Sequence, residues 1–130
     1  VNKIVFIPKK VILFSHDQLI QRYGGSTGIR DMKLLESALE QPKATFGGPY
    51  LHDTIFKMAA AYGYHLCNNH PFIDGNKRIS LVAMDIFLQQ NGYEIVATEK
   101  ETYKVIMRLS TGNLSKEQLT SWLLENTESV

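Results

Sequence analysis

One cysteine, four prolines and one tryptophan in 130 residues set the first limits. Cys67 has no partner for an internal disulfide and cannot build a cysteine-based zinc cage; a lone thiol suits a reducing compartment, so the cytoplasm is the expected location. With nine glycines and four prolines the chain is too poor in both for a collagenous or low-complexity protein. Charge of one sign is also missing: 14 basic residues against 13 acidic leave +1, which disfavours a partner held by bulk positive charge, and no direct DNA binding is expected. Nor is there a long hydrophobic run. The apolar stretch from Val1 to Phe14 is broken by Lys3, Pro8, Lys9 and Lys10, which makes it a poor signal peptide and unable to span a bilayer, so no membrane partner is expected. What is present is ordinary globular composition, 44% hydrophobic and 21% charged. Residues 1–130 read as a single domain without internal repeats, large enough to bury roughly two-thirds of the surface its unfolded chain exposes.

The patterning is mainly helical. Pro8 at a first-turn position opens a run that stops at Tyr23-Gly24-Gly25, and Asp31 is a good N-cap for a second helix that Pro42 closes. Phe46-Gly47-Gly48-Pro49-Tyr50 then reads as an exposed hairpin or flap within Lys43 to His52. From Asp53, residues Ile55, Met58, Ala59, Tyr62 and Leu66 mark one face of a third helix running to about Asn68. Ile79 to Leu88 is apolar nearly all round, the mark of a central helix, and Gly92 ends it. Val5 to Ile7 and Tyr93 to Val96 are short strand candidates that could pair with each other. Thr98-x-x-Glu101 and Ser115-x-x-Gln118 are capping boxes that start a fifth and a sixth helix.

The chemistry concentrates in His70-Pro71-Phe72-Ile73-Asp74-Gly75-Asn76-Lys77-Arg78, between the third helix and the central one. A helix N-terminus presents unpaired N–H groups and a positive dipole end, which favour phosphate, and Gly75 would let a ligand approach the backbone. Lys77 and Arg78 add cationic donors, Asp74 is oriented to ligate Mg²⁺ shared with the phosphates, and His70 is free to take a proton from an attacking hydroxyl. From residue types alone a plainer reading stands beside this one: Asp74 as a helix cap, Phe72 as a core plug, Lys77 and Arg78 as solvated charges, and His70 as a satisfied loop histidine.

The order of these residues resembles the Fic/Doc family signature H-P-F-x-[DE]-G-N-[GK]-R, and the resemblance extends over nearly the whole chain. The Arg22-Tyr23-Gly24-Gly25 close of the first helix, the apolar helix after the motif and the Asn91-Gly92 stop are similar to the Doc branch, the toxins of toxin–antitoxin modules. The resemblance implies a compact six-helix fold around a central apolar helix with a minor β element. It also implies His70 as general base, Asp74 as the metal ligand, and Gly75, Asn76, Lys77 and Arg78 as the ATP-binding residues. Two departures separate the chain from Fic adenylyltransferases: Lys77 replaces a glycine, and Leu81 replaces a second arginine that holds the outer phosphates. The Doc resemblance therefore implies transfer of the γ-phosphate to a protein hydroxyl, with a threonine of elongation factor Tu as target and arrest of translation as outcome. The alternatives are AMP transfer and a catalytically silent binding module. The same resemblance implies a small antitoxin whose disordered C-terminal segment folds on this domain.

Other features carry less. His65, His70 and Asp74 lack a recognised metal-ligand spacing, and His16 and His52 read as surface or packing residues. Cys67 reads as a small buried hydrophobe. The flap at Phe46 to Tyr50 resembles a family element that docks the target backbone. Ser121-x-x-x-Glu125-Asn126 fits the family's inhibitory-helix pattern, but Leu119, Trp122 and Leu123 make that helix read as structural.

Overall fold

Small side chains decide which helices lie closest. Ala59, Ala60, Ala61 and Gly63 are all buried along α3 (Ile55–Asn69), and they let α4 (Asn76–Gln90) approach until Ser80 Oγ donates to the Gly63 carbonyl at 2.6 Å. A Cβ at Gly63 would run into Met84. Around this pair the computed structural model, which describes residues 3–130, sets α1 (Lys9–Tyr23), α2 (Met32–Glu40), α5 (Glu99–Ser110) and α6 (Lys116–Glu125). Each contributes to one core: Ile12 from α1, Leu35 and Leu39 from α2, Leu109 from α5, and Leu119 and Leu123 from α6 meet Tyr62, Leu66, Ile79 and Phe87. The first two residues of the Val1 to Phe14 segment lie outside the described residues. Among the described residues no helix is long and apolar enough to cross a membrane.

Local signals place most helix starts. Asp31 accepts from Leu34 N at 3.0 Å, and the boxes Thr98/Glu101 and Ser115/Gln118 both close. The third helix starts at Thr54, which accepts from Lys57 N, while Asp53 pairs with the Lys57 ammonium at 2.8 Å. Pro8 stands one position before α1 in extended conformation, and Pro42 ends α2 by a short 3₁₀ turn, Gln41–Lys43.

Two expectations change. The strand β1 (Tyr93–Ile95) pairs not with Val5 to Ile7 but antiparallel with β2 (Thr127–Ser129), Tyr93 opposite Ser129 and Ile95 opposite Thr127. The residues after α6 reach β1 because Asn126 ends that helix, its Nδ2 bonding Trp122 O, and its carbonyl receives Val96 N at 2.7 Å. The N-terminal segment is held by side chains instead. Asn91 Oδ1 accepts from Val5 N and its Nδ2 donates to Val5 O, both at 2.9 Å, so one amide does the work of a strand neighbour. Tyr62 Oη accepts from Ile7 N, and burial pushes that phenol up to about 12.

The hairpin forms as expected. Thr45 bridges Tyr50 and Phe46 N donates to Pro49 O at 2.9 Å, with Gly47 and Gly48 at φ 62° and 112°. Tyr50, at its base, packs on Phe6, which stacks on Phe87 in the last turns of α4. The hairpin thus precedes α3 at one end of the fold, whereas His70 follows α3 at the other.

Two stability predictions follow from these contacts. Asn91→Ala also loses the bond from Nδ2 to Phe87 O and is expected to destabilise the fold by about 1–3 kcal/mol, read from urea unfolding, with faster amide exchange at Ile7. The second concerns His65, half-buried between α3 and α6, which receives the Lys116 ammonium on Nε2 at 3.3 Å. Lysine can only donate, so that nitrogen must be unprotonated. Burial, then Lys116, then His52 lower His65 from 6.5 to about 4. The unfolded chain therefore takes up a proton that the fold refuses, and stability, complete above pH 6.5, declines as pH falls to about 4. Allowing for solvent screening, the loss is about 1–2 kcal/mol. A His65→Gln variant should show a flatter urea midpoint across that range; an unchanged slope would assign the effect to other groups.

Candidate functional site

The loop after α3 begins with a backbone constraint. His70 adopts φ 49°, ψ 53°, the only left-handed non-glycine among the described residues, and it turns the chain sharply at the helix end. Arg30 stabilises that end: its Nε donates to His70 O at 2.6 Å and its Nη2 to Asn69 O at 2.9 Å, which places a cation at the negative end of the helix dipole. The segment between α1 and α2 then runs alongside the loop. Pro71 O accepts from both Arg30 N and Asp31 N, Ile29 bridges Phe72, and Ile73 N donates to Gly28 O.

Phe72 is the loop's apolar anchor, fully buried and stacked face to face on His16 at 3.7 Å. His16 Nε2 lies 2.7 Å from the Asp74 carbonyl, to which it must donate. Asn76 is buried as well, with Oδ1 accepting from Phe72 N and Nδ2 donating to Phe72 O. Its amide therefore holds the loop together, and its backbone N–H belongs to the first turn of α4. Gly75 needs its left-handed φ of 78°, and a Cβ there would meet His16 and Ile20 at 3.3 Å. Glycine is thus required by the turn and by interior packing.

Asp74 does not cap α4. Its Oδ1 accepts from Gly75 N at 3.0 Å and its Oδ2 from Ser26 N at 3.1 Å, while α4 starts at Gly75 with no side-chain cap. The first N–H groups of α4 consequently lack helical partners. Lys77 and Arg78 stand exposed on that turn, and among the described residues neither enters an ion pair. All six residues singled out in the motif, His70, Asp74, Gly75, Asn76, Lys77 and Arg78, line one cavity of about 810 Å³. Leu81, Cys67 and residues of α5, Thr102 and Tyr103 among them, complete it. Burial pushes the Cys67 thiol up, in keeping with a buried hydrophobe.

Several candidates lie elsewhere. Neither the hairpin Phe46 to Tyr50 nor Ser121, Glu125 or Asn126 lines the cavity. The segment that bonds to the loop is Ser26 to Asp31. His65 faces Lys116, and among the described residues no three His, Cys, Asp or Glu side chains gather as a metal site. Asp74 nevertheless suits a hard cation, because each carboxylate oxygen receives a single backbone donor and keeps a lone pair. Magnesium commonly takes one or two carboxylates and completes its shell with phosphates and water. His16 packs, as one of its two readings had it, but its bond to Asp74 O was missed, as were Arg30 and the closeness of Gly25 to Asp74. The signal for His16 was present in the buried stripe Ile12, His16, Ile20 at helical spacing; no local pattern marks Arg30.

Comparison with known proteins assigns a family. The Fic/DOC family matches residues 6–88. Toxin Doc of Mycolicibacterium smegmatis is 37% identical over 75 residues, which is 58% of this chain and 58% of that protein, so the match spans little more than half of the relative's length. Protein kinase doc of Escherichia phage P1 is 28% identical over 116 residues, 89% of this chain and 90% of that one.

The anchoring of the loop can be measured. His16→Phe keeps a ring against Phe72 but removes the donor to Asp74 O, and is expected to cost about 1–2 kcal/mol in urea unfolding. An unchanged midpoint would mean that water replaces the bond at no cost.

Proposed function

Because the chain belongs to the Fic/DOC family, we propose that it is a Doc-like toxin that transfers the γ-phosphate of ATP to a hydroxyl of a protein, a threonine of elongation factor Tu, and so arrests translation in the cytoplasm. The observation that carries this reading is the uncapped start of α4, flanked by Lys77 and Arg78 and opening on the same cavity as His70. The name of the phage relative, Protein kinase doc, supports phosphate transfer. So does Leu81, which lines the cavity where Fic adenylyltransferases carry a phosphate-holding arginine.

The residues divide the work by chemistry. The N–H groups of Asn76, Lys77 and Arg78, with the dipole of α4, receive phosphate oxygens without needing to be reorganised. Lys77 supplies a compact charge and Arg78 a planar fork that can bind two oxygens at once. The His70 ring makes no hydrogen bond among the described residues, so a nitrogen is free to accept the threonine proton as the oxygen–phosphorus bond forms and ADP leaves. Asp74 would hold Mg²⁺, which when bound shares the phosphate charge. A protein of this kind needs restraint, and a small antitoxin with a disordered C-terminal segment is the partner inferred here; its folding on binding would bury apolar surface at an entropic cost.

Incubation with elongation factor Tu and ATP labelled on either the γ- or the α-phosphate tests the reaction. Transfer of the γ label alone is expected, removed by EDTA and lowered roughly 10²- to 10⁴-fold by His70→Ala. Transfer of the α label alone would assign adenylyl transfer instead, and no transfer with undiminished growth arrest would assign a binding module.

A further inference from the structure

Tyr23 ends α1 and is 52% exposed, so core packing does not account for it. Its ring lies against the guanidinium of Arg78, whose Cζ is 4.2 Å from the ring centroid, and both side chains line the cavity that contains His70. Arg22 approaches the same ring at 5.4 Å. The two partners are far apart in sequence and meet only because the close of α1 is brought beside the first turn of α4.

An exposed arginine on a helix has many rotamers, and binding must select the few that reach the ligand. A carboxylate could hold the guanidinium still, but it would also occupy the donors and neutralise the charge that a phosphate needs. A ring face attracts the cation through its quadrupole, covers one side of the plane and leaves the in-plane N–H groups free. We propose that Tyr23 is a positioning residue of the anion site, holding Arg78 so that its N–H fork is already presented when the phosphate chain of a nucleoside triphosphate enters. The proposal rests on the ATP-dependent reading above and adds to it a residue outside the motif.

Titration of Mg·ATP by calorimetry into the wild-type protein, Tyr23→Leu, Tyr23→Phe, Arg78→Ala and the double variant Tyr23→Leu/Arg78→Ala tests it. Tyr23→Leu is expected to weaken binding about 3- to 10-fold with an unchanged urea midpoint, and Tyr23→Phe to restore most of the loss. The double variant should bind no more weakly than Arg78→Ala alone, because the ring acts only through that guanidinium. Equal affinity of Tyr23→Leu and wild type would overturn the role, as would a loss of the same size in the Arg78→Ala background or one matched by a fall in stability. Absence of Mg·ATP binding by the wild-type protein would overturn the ATP reading itself and this role with it.

Discussion

A nine-residue segment that carries an imidazole, a carboxylate, an amide and two cations has little reason to hold one shape in water, and Phe72 supplies the reason. Its ring is fully buried, and burying an aromatic side chain of this size stabilises by roughly 1.5–3 kcal/mol, enough to oppose the ordering entropy of a few loop residues only if the polar groups beside it are also satisfied. They are. Asn76 closes both backbone groups of Phe72, and His16 covers the ring while donating to Asp74 O. The backbone of the loop from Phe72 to Asn76 is therefore referred to a buried ring.

What could be read from the chain divides by range. Helix starts at Asp31, Thr98 and Ser115 were legible because a cap is complete within four residues. The motif was legible because its chemistry is contiguous. The partner of β1 was not, since β2 reaches it only through the turn at Asn126, and an asparagine amide that mimics a strand for Val5 has no pattern. The hairpin at Phe46 to Tyr50 was legible in form but not in position. Its position depends on a chain of rings, Tyr50 to Phe6 to Phe87, that no local rule connects. The resemblance implied Asn76 among the ATP-binding residues without showing that its side chain is buried and turned inward.

The positive character of the site owes little to net charge, which is +1 for the whole chain. It is local and built from three sources of different stiffness: backbone N–H groups that cannot move, a guanidinium steadied by an aromatic face, and an ammonium on a flexible stem. Fixed donors fall off quickly with distance, and flexible ones must be ordered. A site with both can attract a charged group from solvent and then hold it in register.

Gly25 gives the arrangement a hidden vulnerability. A Cβ at this position would lie 2.7 Å from Asp74 Oδ2, and the carboxylate is the group that must give way. Gly25 lies in the connection between α1 and α2, distant in sequence from the motif, and its left-handed φ of 112° already excludes easy replacement. A substitution at Gly25 would therefore displace Asp74 while leaving His70, Lys77 and Arg78 unaltered, so a motif complete in sequence need not be complete in geometry.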